Sequence, residues 1–121
     1  MERNLWESWT NEKAFRTIGN FESFSLSVVT YMELVQGMRN KNELNHLRQA
    51  LHAWNATILY ITEEISAKAM FAVEQHFLSH SIELADALIG STAIAHGLPL
   101  LTGNDKQYKI MKGVQIKKFR P

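Results

Sequence analysis

Short β-branched and apolar runs alternate along this chain with longer segments whose apolar residues recur at helical spacing, and that alternation limits the fold more than any other feature. Residues 24–28 (FSLSV), 56–61 (ATILYI), 98–102 (LPLLT) and 114–119 read as strands. Residues 11–18, 31–38, 43–54, 82–96 and 104–111 read as helices, and Thr62 caps another that runs to about residue 80. Ile65, Ala69, Ala72, Val73 and Phe77 mark the inner side of that long helix, and Gly97 is placed to close the next one at its C′ position. Strands separated by helices require right-handed crossovers, hence a parallel sheet with helices on both faces. In such a sheet the functional crevice lies outside the carboxyl ends of the strands, where strand order reverses.

A length of 121 residues suits one domain, and 45% hydrophobic with 21% charged residues is an ordinary globular balance. No cysteine is present, which excludes disulfides, thiolate metal sites and cysteine nucleophiles. Glu2, Arg3 and Glu7 rule out a signal peptide at the start. The longest uncharged run, 87–104, is broken by Gly90, Gly97, Pro99 and Gly103, so no membrane span is expected and a cytoplasmic location is. Net charge is only +1, yet Lys106, Lys109, Lys112, Lys117, Lys118 and Arg120 face the single acid Asp105 after residue 104. That basic end reads equally as a phosphate contact or as a solvated face.

Near the expected sheet edge, polar groups stand in uncharged company. Glu33 is the only charge between Val28 and Val35, and Asp86 the only one between Leu84 and Asp105. Asn104 and Asp105 follow the 98–102 strand. A carboxylate beside a core must be paired, hydrogen-bonded or metal-bound, because desolvating it alone costs several kcal/mol. Oxygen donors without cysteine or paired histidines select hard cations such as Mg²⁺ or Mn²⁺, the ions that serve phosphodiester hydrolysis. No Ser–His pair recommends acyl transfer, and no glycine-rich phosphate loop is present. Structural alternatives remain at each position. Thr30 and Glu33 form a capping-box pattern with Val29 and Leu34 as its staple. Asp86 has Arg39 or Lys13 as a buried partner to consider, and Asn104 or Asp105 suits an N-cap for the following helix. His46, His52, His76, His80 and His96 lack ligand spacing, and Trp6, Trp9 and Trp54 read as core or interface anchors.

The segments SVVTYMELVQGM, LADALIGSTAIAHGLPLLTGNDKQY and GVQIKKFRP, in that order, resemble PIN-domain proteins of the VapC toxin type over about residues 11–121. The resemblance implies a three-layer α/β/α domain with a parallel central sheet. It also implies a Mg²⁺- or Mn²⁺-dependent endoribonuclease acting on RNA, often tRNA, with a cognate antitoxin partner and a homodimeric state. By position, the acid of the family's T-x-x-E-L stretch is Glu33 and the aspartate of A-D-A-L-I is Asp86. The T-x-N element falls on Thr102 and Asn104, with Asp105 displaced by one. Glu33, Asp86 and Asp105 are the implied metal ligands, Asn104 completes the catalytic set, and Thr30 and Thr102 support it. Relatives also carry an aspartate on a first strand, just ahead of the stretch matched by WESWTNEKAF. Here that aspartate falls at or before Met1, with Glu2 near the second acid of the pattern. The first strand is therefore expected to be missing or incomplete and the domain N-terminally truncated. The rival expectation is a catalytically impaired remnant that binds antitoxin or RNA.

Overall fold

Strand β2 (Ser25–Ser27) is buried along its whole length, as a strand covered by helices on both faces must be. It belongs to a computed structural model that describes residues 5–6, 24–79, 82–102, 108–111 and 113–118. The other strands are β1 (Leu5–Trp6), β3 (Thr57–Leu59), β4 (Leu100–Thr102) and β5 (Ile116–Lys118). Their order is β3-β2-β1-β4-β5, and every ladder is parallel. The first strand, expected to be missing or incomplete, is present as a two-residue element at the centre. Leu5 is level with Ser25 on one side and Leu100 on the other. Such a short strand suffices because its neighbours supply hydrogen bonds on both edges. Strand order reverses between β1 and β4, which locates the crevice at their carboxyl ends.

Four helices accompany the sheet among the described residues: α1 (Val28–Gln36), α2 (Lys41–Ala53), α3 (Glu63–His76) and α4 (Leu84–His96). Helix α1 begins three residues earlier than the sequence predicts. The Ser27 hydroxyl, at the very end of β2, accepts from the Val29 N–H at 3.1 Å and caps the helix without a connecting loop. Thr30 is therefore inside the helix, and the Thr30–Glu33 capping box does not form. The Asn40 side chain caps α2 by accepting from the Glu43 N–H, and Thr62 caps α3 at Ile65 as predicted. Gly97, at φ 61°, ends α4 in the left-handed conformation that its position was expected to require.

Alternation along β3 explains the layers: Ile58 packs with one core and Leu59 with the other. The first core joins Phe24 and Leu26 to Leu47 and Leu51 of α2, with Tyr31, Leu34 and Val35 of α1 against it. The second joins Leu59 and Leu100 to Ala72 of α3, Ile89 and Ala93 of α4, and Tyr108 and Met111. The result is the expected three-layer α/β/α arrangement. Trp54 tilts against Phe24 with ring centroids 6.1 Å apart, a core anchor. Ile65, Ala69 and Ala72 are buried along α3 as the spacing predicts, whereas Phe77 is 68% exposed because the helix stops one residue before it. No helix among the described residues is long and apolar enough to cross a membrane.

Candidate active site

Asp86 is the third residue of α4, and this helix returns directly into β4 through residues 97–99. Running back along β4, it brings its N-terminus to the carboxyl end of the sheet. Glu33 is in the second turn of α1, which leaves the carboxyl end of β2. The two acids, 53 positions apart in the chain, meet at one edge: Glu33 is exposed, yet the partial desolvation it feels raises its pKa first, then repulsion from Asp86, then repulsion from Glu83. No lysine or arginine acts on Glu33 among the described residues. The structure thus brings together two of the acids that the sequence singled out.

Asp86 is only 7% exposed. Burial raises its pKa, the Tyr108 hydrogen bond opposes that, and Glu83 raises it further. Tyr108 Oη donates to Asp86 Oδ1 at 3.2 Å, the contact being buried. Arg39, considered as a neutralising partner for Asp86, instead pairs with Glu43 at 2.9 Å. Lys13 lies outside the described residues. The carboxylate is therefore held by a neutral donor, with its charge not cancelled by any described lysine or arginine.

Glu83 was not singled out in the sequence. It is the N-cap residue of α4 yet makes no side-chain cap bond, and it adds to the negative field at both Glu33 and Asp86. Its signal was available in the spacing, since residues three apart share one helix face. Thr30 is fully buried three residues before Glu33, and its hydroxyl oxygen has no hydrogen-bond partner among the described residues. Thr102 ends β4, at the same edge of the sheet. Asn104 and Asp105 lie outside the described residues.

Among the described residues no three His, Cys, Asp or Glu side chains form a group able to hold a metal ion. Two carboxylates nevertheless match the ordinary protein share of a Mg²⁺ shell, in which water and substrate phosphate supply the remaining oxygens. The desolvation of Asp86 and its repulsion with Glu33 are what a divalent cation would relieve, so the donor set fits a hard ion. Two clefts of about 370 Å³ each lie elsewhere, and neither is lined by Glu33 or Asp86.

A sequence model of the PIN domain matches residues 7–113. No curated protein is close enough in sequence to match. Solved structures are similar throughout the fold. A toxin-antitoxin complex from Klebsiella pneumoniae superposes at TM-score 0.74 with 22% identity, covering 96% of this chain and 99% of that one. VapBC2 from Rickettsia felis, bound to a DNA fragment from its promoter, gives 0.76 with 16% identity and the same coverages of 96% and 99%. VapBC-1 from nontypeable Haemophilus influenzae gives 0.75 with 19% identity, covering 98% of each chain.

Proposed function

The chain belongs to the PIN-domain family, and from that premise we propose that it is a metal-dependent endoribonuclease of the toxin–antitoxin type. The observation that carries this reading is the meeting of Glu33 and Asp86 at one sheet edge without a compensating lysine or arginine among the described residues. Glu33 and Asp86 hold Mg²⁺ or Mn²⁺, with Asp105 as a third ligand and Asn104 and Thr102 orienting water or substrate. A hard divalent cation, when bound, supplies the Lewis acidity that makes water nucleophilic near neutral pH and offsets charge on the leaving oxygen. The chain's own part is to hold the buried Asp86 beside the more exposed Glu33, so that both carboxylates would serve the cation, which in turn meets the RNA phosphate. Glu83 adds negative potential that strengthens cation capture.

A protein partner is supported by the exposed Met70, Phe71, Phe77 and Leu78, a run of apolar side chains along α3 and just beyond it. The structural neighbours named as toxin–antitoxin complexes support a cognate antitoxin as the partner, and a second copy of the chain is the other partner in this proposal. By contrast, the apolar residues Leu47 and Leu51 of α2 are taken up by the core.

Cleavage of RNA by purified, antitoxin-free protein in Mn²⁺ tests the proposal. Asp86→Asn and Glu33→Gln are each expected to lower the rate by at least about tenfold through weakened metal binding. Wild-type rates in both the Asp86 and Glu33 variants would remove the nuclease assignment. A wild-type protein that binds its antitoxin but neither Mn²⁺ nor RNA would favour the binding-module reading instead.

A further inference from the structure

The Asp86 carboxylate is gripped by a residue that no metal-ligand pattern in the sequence points to. Tyr108 belongs to the segment between β4 and β5, 22 positions from Asp86, and its side chain is fully buried. Its ring lies in the second core with Ile89, Ala93, Leu100 and Met111. A buried phenol needs a partner for its hydroxyl, and this one donates to Asp86 Oδ1 at 3.2 Å. That is long for an O–H···O bond, so the contact directs the carboxylate more than it adds energy. An ionised carboxylate has about four acceptor sites over two oxygens, so one bond to Oδ1 leaves Oδ2 available to another partner.

The approach is permitted by Gly90, one helical turn beyond Asp86. A Cβ at that position would fall 2.6 Å from the Met111 sulfur and 3.5 Å from a ring carbon of Tyr108. The bare backbone of α4 therefore lets residues 108–111 lie close against the same helix that carries Asp86. The aromatic ring is locked by the core, and the hydroxyl is locked onto the acid.

We propose that Tyr108 is a positioning residue, fixing the Asp86 carboxylate so that its other oxygen is presented to the divalent cation. The inference rests on the nuclease reading, since it assumes that Asp86 is a ligand. Outer-shell hydrogen bonds to metal ligands typically contribute a factor of about 10–100 in metal affinity. Tyr108→Phe keeps the ring and removes only the hydroxyl.

The experiment is calorimetric titration of Mn²⁺ into the full chain and its variants, with thermal melts recorded without metal. Tyr108→Phe is expected to weaken Mn²⁺ binding by about tenfold while leaving the metal-free melting temperature within a few degrees of wild type. Met111→Leu disturbs the same packing without touching the hydroxyl, and its Mn²⁺ affinity is expected to match wild type. The proposal is overturned if Tyr108→Phe binds Mn²⁺ as tightly as wild type while Asp86→Asn has lost binding. It is equally overturned if Met111→Leu weakens binding as much as Tyr108→Phe does, because packing would then be the cause. Should Asp86→Asn retain full affinity, the metal-ligand reading itself falls and takes this inference with it.

Discussion

Asparagine at position 86 should make the metal-free protein more stable and the metal-loaded protein less so. Asp86 is 7% exposed, and a buried ionised carboxylate costs several kcal/mol to desolvate. The Tyr108 hydroxyl returns part of that, about 1.5–3 kcal/mol for a bond of good length and less at the 3.2 Å observed. Asparagine keeps an oxygen to accept from Tyr108 but removes the charge and its repulsion with Glu83 and Glu33. The net gain is on the order of 1 kcal/mol, which for a chain of this size is roughly 3–6 °C in melting temperature. Folded Asp86 holds its proton to higher pH than the unfolded chain does. Wild-type stability therefore falls as pH rises from the ordinary carboxylate value through the raised one. The advantage of asparagine is present above that window and fades as pH drops below it. With Mn²⁺ at a hundred times its Kd the ranking reverses, since binding stabilises the wild type by about 2.7 kcal/mol and the variant by much less. Melts followed by circular dichroism, near neutral pH and in acid, with and without Mn²⁺, give all four numbers. A drop in the metal-free melting temperature near neutral pH would refute the reasoning, because it would mean that the Asp86 charge is compensated within the fold.

Two further outcomes concern the scaffold that places the acids. Ser27→Ala removes the cap that starts α1 directly from β2 and should cost about 1 kcal/mol in urea unfolding, whereas a neutral result would show that the Val29 N–H finds another acceptor. Leu26→Ala, at a fully buried position in the sheet, should cost about 2–5 kcal/mol by the same measurement; a loss below about 1 kcal/mol would mean that β2 contributes little to the first core.

Much of the architecture is legible in the sequence because its causes are local. Thr62 caps at Ile65, Gly97 closes α4 at positive φ, and Ile65, Ala69 and Ala72 line one side of α3. Each depends on residues within a turn or two of one another. The parallel three-layer plan follows from the alternation of strand and helix, and Glu33 and Asp86 are marked by their isolation from other charges along the chain. The start of α1 is misplaced by sequence reasoning for a related cause. Both Ser27 and Thr30 are good caps, and which one serves depends on where β2 ends, which is a property of the sheet.

Other features are decided only by the tertiary structure. Leu5 and Trp6 are too few to show a period, and they become a strand because β2 and β4 offer hydrogen-bonding edges on either side. Glu83 matters through its distance to Glu33 on another helix, and Tyr108 through a contact spanning 22 positions. The three-residue spacing marks Glu83 only as a neighbour of Asp86, and nothing local marks its effect on Glu33 or the reach of Tyr108 to Asp86. Sequence alone thus set the kinds of element and the acids available, because propensity and charge act over a few residues. Which acids share a field, and which hydroxyl holds one of them, follows from strand register and helix packing, which bring distant segments together.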